Sequence, residues 1–296
     1  MAPVTWGLAL GGGGVVALAW EVGVLRALEE AGLPAADSAD VIVGTSAGSI
    51  LGAWLRAGRS ATQLEAELEA GRLRLPGRAQ PLTSDDERRT YAEALRLWAR
   101  PAEMTEAQAA RVGEVAARVT RQDSDRLASF ETEFGSDWPP GRLIVTTSRV
   151  RDGQRCAWDA AAGEPLHLAI AGSCTVPGQS APLLLGGDHH IDGGVWSSTN
   201  ADLLAGMGVS DVIALAPMAG AMGLGRAQAA RLSAECDRLG AIGVEAVGLS
   251  PGEDFRKARI DLLDPKRSDE ALAMGRATGA EAAVRIQHLV GVKYSA

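Results

Sequence analysis

Histidine and cysteine are both scarce in this chain. Its 296 residues include only His 4 and Cys 3, and Cys156, Cys174 and Cys236 show neither paired nor metal-like spacing. That excludes a disulfide framework and a zinc cluster, and an odd number of cysteines suits a reducing compartment with free thiols. No apolar run reaches the length of a membrane span. Positive charge is outnumbered, with Lys+Arg 29 against Asp+Glu 37 and a net charge of −8, which argues against general nucleic-acid binding. Internal repeats and low-complexity tracts are missing too. So is a charged-then-apolar leader, since Met1-Ala2-Pro3 runs straight into a strand-like stretch. A cytoplasmic protein is expected.

Apolar residues and glycine are plentiful. At 46% hydrophobic content the chain can bury a large core, and chains near this size remove about three quarters of their unfolded surface from water. Strand and helix signals alternate through most of its length, which favours one α/β domain over residues 1–296.

The segment Gly44-Thr45-Ser46-Ala47-Gly48 fits G-x-S-x-G and follows the apolar run Asp40-Val41-Ile42-Val43. A serine on a sharp strand-to-helix turn is thrust out of the backbone, and the flanking glycines leave room for a substrate. Ile50, Leu51, Trp54 and Leu55 then recur at helical spacing, and Gly58 offers a stop. The N–H groups at the start of that helix would face the site, where an oxyanion could sit. Ser46 is a candidate nucleophile; the plainer reading is a tight turn whose serine caps a helix.

A second glycine cluster precedes it. Trp6-Gly7-Leu8-Ala9-Leu10 reads as a buried strand interrupted by Gly11-Gly12-Gly13-Gly14. A helix follows, with Leu18, Val22 and Leu25 on one face and Glu21, Glu29 and Glu30 off it. Consecutive glycines bare their N–H groups, and such a nest binds a phosphate or a developing oxyanion. A dinucleotide-binding turn would want a third glycine at Ala17 and an acidic residue ending the second strand. Glu29 and Glu30 lie inside the helix, and Asp37 and Asp40 precede the strand, so that reading is disfavoured.

A nucleophile needs a base, and the candidates are His167, His189, His190 and His288. Only His288 suits the order serine, acid, histidine, and it falls in a helix-like stretch. His189 and His190 belong to an apparent hairpin, Leu183 to Ile191, turning at Gly186-Gly187-Asp188. That hairpin ends at Asp192, followed by Gly193-Gly194. A carboxylate where a strand gives way to glycines can approach another backbone closely and accept the Ser46 proton directly. By itself it could equally cap a neighbouring turn.

Taken in order, these blocks resemble the patatin-like phospholipases, lipid acyl hydrolases with a Ser-Asp dyad. Leu8 to Gly14 resembles the family's oxyanion loop, backed by the helix Trp20 to Leu28. Gly44 to Gly48 resembles its nucleophile elbow, and Asp192-Gly193-Gly194 its Asp-Gly-Gly/Ala block. Ala169 to Pro177 and Ser197 to Leu203 resemble the stretches on either side of that aspartate. The likeness spans roughly residues 5 to 60 and 140 to 217.

The resemblance implies a three-layer α/β/α fold with a central, mostly parallel sheet. It also implies acyl transfer through an acyl-Ser46 intermediate, with Asp192 as base and Gly12, Gly13 and Gly14 as oxyanion donors. Gly44, Gly48, Gly193 and Gly194 flank the two motifs. The implied substrate is a lipid or other ester, with transient contact at a membrane surface. No metal or cofactor is implied. One departure stands out: Val16 and Ala17 occupy places where the family usually has a basic residue and a glycine. This motivates an alternative, a catalytically weakened fold that binds lipid or regulates.

Residues 60–140 read as a helical insertion and a candidate cap. They hold a short helix from Thr62 to Ala70, then helical stretches Asp85 to Arg100 and Thr105 to Phe134. Arg72, Arg74, Arg78, Arg88, Arg89, Arg96 and Arg100 could meet anionic head groups, but interleaved acids favour a solvated face. Tyr91, Leu95 and Trp98 are spaced for packing. Further strands are expected at Leu143 to Thr147, Cys156 to Trp158, Val212 to Leu215 and Val244 to Leu249. Helices are expected from Arg226 to Leu239 and from Asp269 to Val290, the last too Ala-rich for its burial to be read. No pattern specifies an oligomeric state.

Overall fold

A computed structural model describes residues 5–34, 38–77, 81–121 and 123–290; Met1, Ala2, Pro3, Asp37 and Arg78 lie outside the described residues. In chain order the elements are β1 (Trp6–Leu10), α1 (Gly14–Glu30), β2 (Val41–Gly44), α2 (Ala47–Arg56) and α3 (Ala61–Glu69). Then come α4 (Asp85–Ala99), α5 (Glu106–Ala116), α6 (Ser124–Phe134), β3 (Arg142–Arg149), β4 (Arg155–Trp158) and α7 (Leu166–Ser173). The chain continues through β5 (Leu183–Leu185), β6 (Asp188–Asp192), β7 (Asp211–Leu215), α8 (Gly225–Ala241), β8 (Glu245–Leu249), α9 (Glu253–Lys257) and α10 (Ser268–Leu289).

The sheet runs β5-β6-β3-β2-β1-β7-β8, with β4 paired to β3. The run from β3 to β8 is parallel, whereas β4, β5 and β6 pair antiparallel. β1, β2 and β7 are buried at every position, the pattern a parallel strand needs when both faces are covered. Alternate residues feed two cores. Leu8, Leu10, Ile42, Ile213 and Leu215 pack into the larger one with α1, α2 and α10. Ala9, Val41, Val43, Val212 and Ala214 face the opposite side, with Leu232 and Leu239 of α8. The expected layered α/β fold is therefore the observed one.

Glycines settle the burial of the Ala-rich terminal helix. A methyl on Gly275 of α10 would sit 2.1 Å from the Trp20 carbonyl oxygen, and one on Gly23 of α1 2.2 Å from that of Leu272. The two backbones touch along these small residues, and Ala271, Leu272 and Ile286 are buried as a result.

The stretch from Thr105 to Phe134 is not the continuous helix its pattern predicts. Thr105 caps α5, and Asp123 begins a second helix by accepting the Arg126 N–H at 2.9 Å. The insertion also divides by destination. Leu64 and Leu68 of α3 join the main core, α6 packs on α7, and Trp98, Ala109, Val112 and Ala116 of α4 and α5 cluster with Ile191, Val195 and Met218. Among the described residues no helix is long and apolar enough to cross a membrane.

Candidate active site

β2 delivers Ser46 to the end of the sheet, and the backbone there is strained, with φ 53° and ψ −122°. A non-glycine residue in that region persists only where its surroundings impose it. Here α2 must start at once and press against β1. A Cβ on Gly48 would lie 2.2 Å from the Leu10 carbonyl oxygen, and one on Gly44 2.5 Å from Ser49 Cα. Ser46 N–H donates to Ser173 Oγ at 2.8 Å, and the Ser49 hydroxyl donates to the Ser46 carbonyl oxygen at 2.6 Å, which fixes the turn from both sides.

The glycine loop runs beside this elbow. A Cβ on Gly12 would come within 2.9 Å of Ser46 Cβ, so only glycine lets the loop pass so close. Gly12 corrects one expectation, because its N–H donates to the Ser198 carbonyl oxygen at 2.9 Å and is not free for an oxyanion. The N–H groups of Gly13 and Gly14 meet no acceptor among the described residues, nor does that of Ala47 at the start of α2. Glu21 corrects another. It is fully buried, and its Oε1 accepts the Gly11 N–H at 2.6 Å, so the helix turns this acid inward to hold the loop. Burial pushes its carboxyl well above the ordinary range, against the pull of that N–H.

Asp192 ends β6 and is 2% exposed. Its Oδ1 accepts the Gly194 N–H at 2.7 Å, and its own N–H donates to the Thr175 carbonyl oxygen at 2.9 Å. Burial pushes its pKa up to about 6, opposed by the Gly194 N–H, by the nearby Ser46 hydroxyl and by the Arg126 guanidinium. Thr45 and Gly193, the chain neighbours of Ser46 and Asp192, both accept from the Asn200 amide, so the elbow and the aspartate turn stand side by side.

A buried polar network sets their spacing. Thr45 and Thr146 share a hydroxyl hydrogen bond of 2.8 Å. Asn200, at φ 50°, donates to Thr45 Oγ1 at 3.1 Å, to the Gly193 carbonyl oxygen at 3.3 Å and to that of Ser197 at 2.6 Å. One amide therefore ties the nucleophile strand to the aspartate turn. Gly193 is the close approach that permits it, since a Cβ there would lie 2.2 Å from Thr146 Oγ1.

The family model for patatin-like phospholipases matches residues 8–205, a span that takes in the glycine loop, Ser46 and Asp192. The chain belongs to the patatin-like phospholipase family. Solved structures that it matches include the type III effector protein ExoU, at 16% identity and TM-score 0.43 over 96% of this chain and 53% of that one. VipD from Legionella pneumophila is 13% identical with TM-score 0.49, over 96% of this chain and 67% of that one. The chain spans about half the length of the first. No curated protein matches it. The assignment rests on the family model.

In this member of the family the histidines lie apart from the elbow. His190 Nδ1 bonds Thr147 Oγ1 at 2.9 Å, and burial lowers its pKa to about 4. His167 Nδ1 bonds the Gly135 carbonyl oxygen at 2.8 Å, and His189 is exposed. His288 is also exposed; its neighbour Gln287 bonds the Ala31 carbonyl oxygen at 2.8 Å, at the end of α1 remote from the glycine loop.

Two residues at the site escaped the sequence reading. Cys174 is half-buried just after α7, and desolvation pushes its thiol pKa up to about 12, which keeps it an unreactive thiol. Arg126, 8% exposed, donates through Nη2 to the carbonyl oxygens of Ala171 at 3.1 Å and Cys174 at 2.8 Å. Its signal was an arginine at i,i+4 from Phe130 on the apolar stripe of α6.

Proposed function

We propose that the chain is a serine acyl hydrolase that cleaves carboxylic esters of lipids: phospholipid, lysophospholipid or acylglycerol. The observation that carries this reading is Ser46, on its strained turn, brought beside the buried Asp192 carboxylate by the Asn200 amide that bonds both Thr45 and the Gly193 carbonyl oxygen. In the first step Ser46 Oγ attacks the ester carbonyl carbon while Asp192 takes its proton. The tetrahedral oxyanion is met by the N–H groups of Gly13, Gly14 and Ala47. Collapse expels the alcohol, which takes the proton from Asp192 and leaves acyl-Ser46. Water, deprotonated by Asp192, then attacks the acyl carbon and releases the fatty acid.

An ordinary aspartate, with pKa near ~4, is a weak base. Raised to about 6, Asp192 is better matched to its task while still ionised at neutral pH. Oxyanion stabilisation carries much of the remaining rate, since losing one such donor typically costs about 10²–10³-fold.

The cap role belongs to α4 and α5, in this reading, because Trp98 Nε1 donates to the Gly194 carbonyl oxygen at 2.7 Å, directly behind the base. The rim that meets a lipid surface lies at the glycine loop. Leu263 is 52% exposed, and a Cβ on Gly14 would lie 2.7 Å from its Cδ2. Met222 is also exposed and accepts from Arg259 Nε through its sulfur at 3.2 Å.

The test is a panel of p-nitrophenyl esters of increasing chain length beside phospholipid vesicles, on wild type and Ser46→Ala. Turnover that favours long chains and disappears in Ser46→Ala supports the reading. Equal turnover by both proteins refutes it. A lipid-binding role without catalysis, motivated by Val16 and Ala17, predicts vesicle binding with no turnover by either.

A further inference from the structure

Asp192 hands the chain to a short turn, Gly193–Val195, and each carbonyl oxygen of that turn accepts from a distant side chain. Asn200 Nδ2 reaches the first at 3.3 Å, Trp98 Nε1 the second at 2.7 Å and Arg231 Nη1 the third at 3.1 Å. The first bond belongs to the network that ties in Thr45. The other two come from α4 of the cap and from α8. Both donors are buried, Trp98 at 5% exposure and Arg231 at 3%.

Gly194 is the sensitive point. Its N–H donates to Asp192 Oδ1 at 2.7 Å. A side chain is barred there, since a Cβ would lie 2.9 Å from that same oxygen and 3.1 Å from Trp98 Cζ2. The position therefore takes glycine, whose two peptide planes turn freely about a Cα with no side chain to restrain them. Trp98 supplies the restraint. With the carbonyl oxygen held by the indole and the N–H engaged by the carboxylate, both planes are fixed.

Arg231 ties the same turn to the helix that carries Trp98. Its Nη2 donates to the carbonyl oxygens of Trp98 at 2.9 Å and Pro101 at 3.1 Å, where α4 runs out of helical partners. One guanidinium thus bridges the end of α4 and the Val195 carbonyl, with the planar fork that arginine has and lysine lacks. The path from cap to base is continuous: α4, the Trp98 indole, Gly194, the Asp192 carboxylate.

We propose that Trp98 and Arg231 are positioning residues for the base: together they fix the Gly193–Val195 turn so that the Gly194 N–H holds the Asp192 carboxylate in one orientation, and a shift of the cap is passed to the base. This rests on the hydrolase reading above. It gives the insertion a part in the chemistry as well as in covering the site.

The experiment puts benzothienylalanine in place of Trp98. The ring keeps its shape and sulfur replaces N–H, so packing survives and only the bond to Gly194 is lost. Trp98→Phe, Arg231→Lys and the double variant are made beside it. For each, kcat and KM are measured on a soluble short-chain p-nitrophenyl ester, together with the melting temperature.

With benzothienylalanine kcat falls about tenfold, and further in Trp98→Phe, because a misplacement of about 1 Å can cost on the order of 10²-fold. KM is unchanged, as for an interaction that acts only in the transition state. Arg231→Lys also lowers kcat, and the double variant loses less than the two single losses combined, since both act through one turn. A folded benzothienylalanine protein with wild-type kcat overturns the proposal, whether or not Trp98→Phe folds. A rise in KM alone does so too, making Trp98 a wall of the substrate pocket. A lower melting temperature with unchanged kinetics leaves the pair a structural strut, and fully additive losses remove the shared turn; either overturns it. Wild type that hydrolyses nothing, or is matched by Ser46→Ala, defeats the hydrolase reading instead.

Discussion

Gly12 donates its N–H to the Ser198 carbonyl oxygen at 2.9 Å, which joins the glycine loop to the segment that follows Asp192. The bond withdraws Gly12 from the oxyanion role and makes it a spacer between that segment and Ser46. Gly12→Ala is expected to push Ser46 away, because the added methyl would lie 2.9 Å from its Cβ. A displacement of even about 1 Å can cost on the order of 10²-fold in rate. Steady-state kinetics should show the loss in kcat, with little change in melting temperature.

Asp192 should trade stability for function. Its folded pKa, about 6, lies above the ordinary 3.8, so the folded state holds this proton more tightly than the unfolded chain does. Ionising it therefore destabilises the fold as pH rises from about 4 to about 6, and the cost persists above that. Asp192→Asn should abolish hydrolysis yet melt no lower than wild type at pH ~8, with a gain on the order of 1–3 kcal/mol. In the wild type, kcat/KM should rise through about pH 6.

Asn200→Ala should damage both stability and rate. It removes the donor shared by Thr45, Gly193 and Ser197 and leaves their buried acceptors short of partners. Denaturant unfolding should show a loss of about 2–4 kcal/mol, and kcat should fall, since the spacing of Ser46 and Asp192 is no longer fixed.

His288→Gln should leave ester hydrolysis unchanged. α1 has 17 residues, so its far end, where α10 bonds Ala31, lies about 25 Å from the glycine loop. A loss of activity in the folded variant would revive a serine–histidine mechanism.

The lipid-facing rim can be tested without touching the dyad. Met222→Asp with Leu263→Asp should weaken co-sedimentation with phospholipid vesicles by about tenfold or more, since each buried apolar side chain contributes about 1.5–3 kcal/mol. Hydrolysis of a soluble short-chain ester should continue at the wild-type rate.

Much of this arrangement is legible in the sequence because its signals are steric and local. Continuous apolar runs mark β1 and β7, and Gly44, Gly48 and Gly193 stand where a Cβ would collide with backbone or a buried hydroxyl. Other features depend on tertiary partners. Glu21 reads as a solvent-facing acid until Gly11 requires an acceptor. The α10 burial is hidden in Ala-rich sequence, because Gly275 and Gly279 matter only against Trp20 and Val24 of α1. Asp123 within a helical pattern is ambiguous until its side chain caps α6. Arg126 reads as a surface charge until the Ala171 and Cys174 carbonyl oxygens accept from its guanidinium.

Mass-spectrometric mapping after reaction with a fluorophosphonate tests the central claim most directly. Modification of Ser46 in the wild type, and its loss in a folded Asp192→Asn variant, is the predicted result. An unlabelled but folded wild type, or labelling at the same rate without the carboxylate, would contradict a Ser46–Asp192 dyad.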